Sequence, residues 1–251
     1  MPKISWDNDD FQKSQDSSGT TTENISGGGL EQGYFHGSLT RGLVVYYPLD
    51  SGSGSTAIDE VMGNDGTING ASWASGSKIG DSCLDFNGSS DYLAMPEIAL
   101  EDSFTVSQWV NLDQDKDWNN SFGSESILSM ISYADGKIQC YIGDGNSWQA
   151  ETNTGTGKTN PGNWQHWLIT YDGSTLRFFL NGVLEDKTSI SVALPSTVHH
   201  IGARNNQTSE YSLDGRIDST KVYRRPLSTP EVQALYNLTR PSKVSPGDTV
   251  V

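Results

Sequence analysis

The residues best suited to chemistry lie in one glycine-rich acidic loop. Asp59, Asn64 and Asp65 stand between positions 59 and 66, and Gly63 and Gly66 leave backbone carbonyls open beside them. Calcium takes about 6–8 oxygen ligands from carboxylates, amides and carbonyls. The loop therefore predicts a structural Ca²⁺ site. The alternative is that these residues only form turns, which Asp, Asn and Gly favour.

Two tryptophans stand in polar loops, and a third polar loop, residues 204–211, ends on a tyrosine. Sugars are held by aromatic faces together with a few convergent amide and carboxylate groups. The alternative is that the tryptophans cap the edges of the fold or contact a neighbouring subunit. The glycan-binding residues predicted from these loops are Trp118, Trp148, Asn205, Asn206 and Tyr211.

Catalytic motifs are not found in the sequence. Glycanases with paired carboxylates carry both acids on one strand, in a Glu-x-Asp-x-(x)-Glu run that this chain lacks. Glu185 and Asp186 are adjacent, so on a strand they would face opposite sides. No Gly-x-Ser-x-Gly or His-Glu-x-x-His run occurs, and the pair His199–His200 is expected to pack. We therefore predict no catalytic residues and no enzyme.

Charge and composition exclude other classes of protein. The 251 residues carry 31 acidic and 16 basic side chains, a formal charge of −15 that would repel nucleic acid. No apolar run approaches the ~20 residues of a membrane span, so membrane insertion is not expected. Cys83 and Cys140 lack zinc-ligand spacing. They leave two possibilities open, one disulfide or two free buried thiols.

From residue 43 onward, short apolar runs alternate with turn signals. Runs such as Phe104–Val110 and Ile138–Ile142 alternate apolar and polar residues with period two, as half-buried antiparallel strands do. Asp-Gly and Asn-Gly pairs between them suit tight hairpins. One helix is predicted over Leu227–Tyr236, with Ser228 as its cap and Glu231 three residues later. The pattern indicates an all-β sandwich or jelly roll with one short C-terminal helix.

The chain is predicted to have three parts: an N-terminal arm over residues 1–40, a jelly-roll domain over 41–239 and a C-terminal tail over 240–251. The arm has no hydrophobic period and could be a disordered linker. We favour an anchor that holds the chain in an assembly. The predicted anchoring residues are Trp6, Phe11, Tyr34 and Phe35.

Six segments in order resemble the laminin-G-like, concanavalin A-like lectin/glucanase family. They are Gly42–Asp50, the Asp59–Ile68 loop, Leu84–Leu93, Phe104–Val110, Trp164–Gly173 and Leu213–Ser228. The resemblance covers residues 42–238 and implies two antiparallel sheets packed face to face. It also implies that Asp218 on the last long strand approaches the first loop and joins the calcium ligands. Trp109, Trp164 and Trp167 match core positions of the family, so buried packing is expected for them.

Fold alone does not fix function, so hypotheses from different classes remain. The first is a non-catalytic structural or adhesion protein on the surface of a virion: a decoration, turret, fibre or tail protein displaying the jelly roll for attachment to host or surface glycans. Its partners would be other particle subunits, bound through residues 1–40, and it would form a homo-oligomer. The alternative is a free secreted or cell-surface lectin. A third, an accessory module of a glycoside hydrolase, is disfavoured by Met1 and by both tails.

Overall fold

The structure, a computed structural model, describes residues 39–100, 102–205 and 210–239. The predicted anchor residues Trp6, Phe11, Tyr34 and Phe35, and the C-terminal tail, lie outside the described residues. The elements in chain order are β1 (Leu43–Tyr47), β2 (Thr56–Ala57), β3 (Gly66–Asn69), β4 (Ser72–Ala74), β5 (Cys83–Asn87), β6 (Tyr92–Ile98), β7 (Phe104–Leu112), β8 (Asn119–Ser124), β9 (Leu128–Ser132), β10 (Ile138–Gly143), β11 (Trp148–Asn153), β12 (Gln165–Tyr171), β13 (Thr175–Leu180), β14 (Val183–Ser189), β15 (Thr197–Ile201), β16 (Asp214–Tyr223) and helix α1 (Thr229–Thr239).

The strands form two eight-stranded antiparallel sheets. The first sheet has the order β14-β13-β12-β7-β16-β5-β4, with β1 also paired to β16. The second sheet has the order β11-β10-β9-β8-β15-β6-β3-β2. Consecutive strands of the chain often lie in different sheets, so chain order and sheet order differ. This confirms the prediction of an all-β sandwich of two antiparallel sheets.

The main core fills the space between the sheets. On β7 and β12 the residues that point inward alternate with residues that point outward, as the pleat of a strand requires. Val106, Trp167 and Ile169 are fully buried there and meet Met130 and Cys140 of the second sheet. Burying a large apolar side chain contributes about 1.5–3 kcal/mol. The core therefore fixes which residues of each strand remain on the outer faces.

A second, smaller core lies between the first sheet and helix α1. Val232 and Leu235 of the helix pack on Leu168, Phe179 and other residues of the sheet. The helix begins as predicted, because the Glu231 carboxylate accepts bonds from the Ser228 N–H and hydroxyl at 2.8 Å. This is the glutamate half of a capping box, and it gives the Ser228 N–H a partner at the helix start. The predicted helix is confirmed, with its end extended to Thr239.

The Asn181–Gly182 turn joins β13 to β14, as this dipeptide predicts. Both residues have positive φ, 52° and 79°, the conformation of a two-residue hairpin. A Cβ on Gly182 would stand 3.1 Å from the Tyr236 ring of helix α1. The same glycine thus permits both the turn and the close approach of the helix.

The predicted core tryptophans have three different environments. Trp167 lies in the main core. Trp109 is buried on the outer side of the first sheet, where Tyr236 stacks on it at 5.7 Å. Trp164 is only half-buried and donates to the Gly76 carbonyl at 3.1 Å, so the prediction of burial was wrong for it. Its position just before β12 leaves one edge of the ring in solvent.

The alternatives for the cysteines are resolved in favour of free thiols. Cys83 lies on β5 of the first sheet and Cys140 on β10 of the second, and both are buried and free. Burial raises the pKa of the Cys83 thiol to about 12. Among the described residues, no helix is long and apolar enough to span a membrane.

Candidate functional site

An aromatic surface covers the outer side of the second sheet. On β10 the core residues Cys140 and Ile142 flank Tyr141, which therefore faces outward. Trp148 stands 5.5 Å from the Tyr141 ring, and Trp118 stands 5.2 Å from the Tyr211 ring. We call this set the aromatic face; its members are Trp118, Tyr133, Tyr141, Trp148 and Tyr211.

Trp118 is held in place by the loop that joins β7 to β8. The Lys116 ammonium donates to the Gly88 carbonyl at 2.7 Å, and Asp115 accepts from the Thr159 hydroxyl at 2.6 Å. Trp118 has φ of 65° and is 39% exposed. A bulky residue in the left-handed region costs about 1–3 kcal/mol and persists where its surroundings impose it. The contacts of the loop therefore hold Trp118 in a strained backbone conformation that leaves its ring partly exposed to solvent.

Trp148 is positioned by an aspartate turn at the end of β10. Asp144 Oδ1 accepts from the N–H groups of Asn146 and Ser147, both at 2.9 Å. Its Oδ2 accepts from the Gln149 amide at 3.1 Å. Trp148 pairs with Gly143 in the sheet. A Cβ on Gly143 would clash with the carbonyl oxygens of Ser126 and Ser147, so this close turn requires glycine.

Two tyrosine hydroxyls form the polar centre of the aromatic face. The oxygens of Tyr133 and Tyr141 lie 2.8 Å apart, so one donates to the other. Burial is the main reason why the pKa of both phenols is raised, and the charge of Glu151 and the proximity of Tyr211 raise it further. The pair keeps one O–H and several lone pairs for a ligand.

Arg204 and Asn205, which follow β15, border one side of the aromatic face. The Arg204 guanidinium lies 3.4 Å from the centre of the Tyr211 ring, and its Nε is 3.0 Å from the Glu125 carboxylate. The Asn205 amide donates to the same carboxylate at 2.9 Å. Glu125 thus binds both residues. The predicted ligand residue Asn206 lies outside the described residues.

The structure brings the predicted aromatic residues together and adds four that the sequence analysis missed. Tyr133 and Tyr141 lie near Trp118 and Trp148 because β9 and β10 pair at this point. Arg204 and Glu125 come from loops far apart in sequence. The outward position of Tyr141 in its alternating run was the one available sequence signal.

The predicted calcium loop is closed on itself. Asp59 accepts from the backbone N–H of Tyr46 (2.8 Å), Val61 (3.1 Å), Met62 (3.1 Å) and Asn64 (2.9 Å), and from the Asn64 amide (3.2 Å). A carboxylate has about four lone-pair sites, so this one is fully used. Burial alone would raise the pKa of Asp59, but its bonds to the backbone outweigh that effect and lower it.

Asn64 and Asp65 are also engaged within the loop. The Asn64 amide donates to the Val44 carbonyl at 3.0 Å, and Asp65 accepts from the Asp59 N–H at 2.9 Å. Asp59 therefore has no oxygen lone pair left for a calcium ion, whereas the Asn64 side chain donates only through its NH2 group. Within the described chain, no group of three or more His, Cys, Asp and Glu side chains is arranged for a metal ion.

Asp218 lies apart from the predicted set, against the segment before β5. Its Oδ2 accepts from the N–H groups of Lys78 (2.7 Å) and Ile79 (2.9 Å). Its Oδ1 is buried and accepts no bond from the described residues. Burial raises the pKa of Asp218 to about 6, and the charge of Asp50 acts in the same direction. Of the predicted ligands, Asp218 therefore keeps one buried carboxylate oxygen that accepts no hydrogen bond from the described residues.

His166 and His199 pack inside the fold, and the neighbouring acids Glu185 and Asp186 form structural bonds. His166 bonds the Ser107 hydroxyl at 2.8 Å, and burial lowers its pKa to about 3. His199 stacks on Phe122 at 5.4 Å. Glu185 pairs with Lys158 at 2.8 Å. On the same strand, Asp186 accepts from the Thr152 hydroxyl and the Asn153 N–H.

Comparison with known proteins places this geometry in a family. The model of the concanavalin A-like lectin/glucanases superfamily, laminin-G type, matches residues 87–233. No curated protein matches the chain. Domain 4 of AbnA, a GH43 extracellular arabinanase from Geobacillus stearothermophilus, solved in complex with arabinotriose, is similar with a TM-score of 0.61 and 20% identity over 77% of this chain and 98% of that chain.

Two further similar structures belong to longer proteins. The binding domain of Paraclostridial Mosquitocidal Protein 1 has a TM-score of 0.63 and 16% identity, and covers 78% of this chain and 52% of that chain. A sialidase of Trypanosoma rangeli in complex with sialic acid has a TM-score of 0.61 and 16% identity, over 78% and 32%. At these identities the likeness shows the fold alone. The family model covers more than half of the chain, and the protein therefore belongs to the concanavalin A-like lectin/glucanase superfamily.

Proposed function

We propose that this protein is a non-catalytic carbohydrate-binding domain that takes its glycan on the aromatic face. One observation carries the proposal: two loops hold Trp118 and Trp148 on the same sheet surface, each against a tyrosine. Each tryptophan offers one sugar ring an apolar surface for its C–H groups. The face has two such platforms, so the expected ligand has at least two sugar units.

The polar groups of the face would fix the orientation of the sugar. The Tyr133–Tyr141 pair offers both a donor and acceptors at the centre. The Asn205 amide stands at the side, held by Glu125. Lectin-type sites commonly combine an apolar platform with a few placed polar groups. Because these groups are held before any ligand arrives, little ordering entropy is lost on binding.

The absence of catalysis is part of the proposal. It is supported by the lack of a Glu-x-Asp-x-(x)-Glu run in the sequence and by the structural bonds of Glu185 and Asp186. Prolonged incubation with a bound oligosaccharide, followed by mass analysis of the products, tests it. Any cleavage that depends on the protein would overturn this part.

Substitution of the two platforms tests the proposed function. We would screen the wild type on a glycan array and titrate the strongest hits against Trp118→Ala and Trp148→Ala. Each variant should bind about tenfold more weakly, the loss expected for about 1.4 kcal/mol of stacking. Trp164→Ala, which removes a half-buried tryptophan next to the first sheet, is the control and should bind as the wild type does. An array without hits, or equal affinity in all three variants, contradicts the proposal.

The biological setting is a second part of the proposal. An acidic chain with a polar N-terminal arm supports display on a particle such as a virion, with residues 1–40 as the anchor. The similarity to the whole of Domain 4 of an arabinanase favours an accessory module of a glycoside hydrolase as the competing setting. Deleting residues 1–40 should abolish incorporation into the particle and leave glycan binding intact. Loss of glycan binding instead would place the arm in the binding site.

A calcium ion at Asp218 is a separate proposal. It is supported by the buried open oxygen of this carboxylate and by the nearby charge of Asp50. A bound cation would neutralise the buried charge and tie β16 to the segment before β5. Its role would be structural, because Asp218 lies on the first sheet and the aromatic face on the second.

A further inference from the structure

The cations beside the aromatic face are already engaged. Arg204 lies on the Tyr211 ring and pairs with Glu125 at 3.0 Å. The Lys137 ammonium lies 4.6 Å from the centre of the Tyr133 ring. Recognition of a sugar carboxylate or sulfate typically depends on a free guanidinium or ammonium group. Here the guanidinium is neutralised by an acid of the chain itself. The Lys137 ammonium keeps its charge and, of these two cations, is the single one left on this side of the face.

Two carboxylates near the phenol pair have no such partner. Glu151 is exposed and stands directly opposite Tyr141 in the register of β10 and β11. Asp117 is exposed next to Trp118, and its Oδ1 accepts the Ala134 N–H at 3.1 Å. Neither acid forms an ion pair with any described residue. Their charges act on the phenols, since Glu151 and Asp117 both help to raise the pKa of Tyr133.

This inference rests on the proposed function and names its ligand class: we propose that the aromatic face selects uncharged glycans and rejects sialic acids, uronates and sulfated sugars. An anionic group placed on the face would meet two acids, Glu151 and Asp117, against one ammonium group, that of Lys137. The net charge of −15 adds to the repulsion. An uncharged sugar ring stacks on the same platforms without this cost.

Similarity of fold does not distinguish an uncharged sugar ligand from an anionic one, but the charges around the aromatic face do. The arabinanase domain was solved with arabinotriose, an uncharged sugar, and the Trypanosoma rangeli sialidase with sialic acid, an anion. The fold of this chain is similar to the whole of the arabinanase domain and to about a third of the sialidase. The arrangement of Arg204, Glu125, Glu151 and Asp117 favours the uncharged class.

Matched glycan pairs test the inference with the full chain. Each pair has the same sugar backbone, and its members differ by an anionic group: N-acetyllactosamine with its 6-sulfated form, and a methyl-esterified oligogalacturonide with its free acid. For any pair that binds, the neutral member should bind about fivefold more tightly at low salt, the effect of two like charges at the surface. Raising the salt to 0.5 M should reduce the difference to about twofold, because salt screens exposed charges.

Removing the two charges gives a second measurement. The double variant Asp117→Asn/Glu151→Gln should bind the anionic member several-fold more tightly than the wild type does and lose the salt dependence. Asp102→Asn, an exposed acid near the opposite end of β7, is the control and should change neither. Tighter binding of the anionic members by the wild type would overturn the inference and leave the proposed function standing. No binding to any glycan would overturn the proposed function itself.

Discussion

Two loops of this protein carry three acidic residues each but differ in structure. In the loop of residues 59–66, the Asp59 carboxylate is buried and accepts four backbone N–H groups and one side-chain amide. In the loop of residues 113–118, the acids are exposed, and the bonds run outward to Gly88, Ala134 and Thr159. The first loop closes on itself, and the second one presents Trp118 to solvent.

The difference shows that acidic residues alone do not make a metal loop. What decides is whether the loop supplies its own N–H donors to the carboxylate. Where the loop does so, the lone pairs of the carboxylate are used, and its hydrogen bonds hold the loop in one conformation. Where it does not, the side chains remain available for other contacts. The following predictions test this contrast, from the largest expected effect to the smallest.

Removing the carboxylate of the closed loop should have the largest effect. Asp59→Ala leaves several N–H groups without a partner, so the free energy of unfolding should fall by about 3 kcal/mol in urea titrations. Asp115→Ala in the exposed loop is the matched control and should cost less than about 1 kcal/mol. Equal losses in the two variants would remove the contrast between the loops.

Calcium should stabilise the protein through Asp218 and not through the closed loop. Chelation should lower the free energy of unfolding of the wild type by about 2 kcal/mol when calcium is ~30-fold above its Kd. Asp218→Asn should show no response to calcium or chelator, and Asp65→Asn should respond as the wild type does. A wild type that melts identically with and without chelator would exclude the calcium site.

Relief of backbone strain at Trp118 in the exposed loop should have a smaller effect, and this effect should stabilise the protein. Trp118→Gly and Trp118→Ala remove the same ring, but only glycine adopts a φ of 65° without strain. The glycine variant should be more stable than the alanine variant by about 1 kcal/mol in the same titrations. If Trp118→Ala proves more stable than Trp118→Gly, the positive φ at residue 118 is not a strained conformation.

The pH dependence of the closed loop should give the smallest effect. The pKa of Asp59 is lowered in the folded state, so its stabilisation is complete above the unfolded value of about 3.8 and is lost as the pH falls through the folded value. The difference in stability between the wild type and Asp59→Asn should therefore be constant from pH 7 to about pH 4.5 and shrink below about pH 4. Using the difference between the two proteins cancels the titration of the histidines. A difference that grows as the pH falls would contradict the sign.

The sequence was sufficient to predict the fold and part of the site. Alternating strands, Asn-Gly turns and the Ser228–Glu231 cap are local features, and each depends on residues that are close in the chain. Trp118 and Trp148 were identified because an indole in a polar loop is exposed unless something covers it. Burial of Trp164 was predicted from family resemblance alone, and the structure leaves it half-buried.

The partners of the aromatic face could not be predicted from the sequence. Tyr133 meets Tyr141 across a hairpin, and Arg204 reaches Glu125 from a loop nearly eighty positions away. Strand register decides such contacts, since a shift by one residue would turn Tyr141 into the core. Nothing in the local sequence around Glu125 indicates this role.

By itself, the sequence determined the class of the fold and the places where aromatic side chains interrupt polar loops, because turn formation and strand alternation are local. Only the tertiary structure decided which acids are used and which are open. Asp59 is saturated by backbone groups that the folded loop brings to it, whereas Asp218 is left with one unpartnered oxygen among the described residues. A carboxylate has the same lone pairs in any sequence, and their availability depends on the donors that folding places around it.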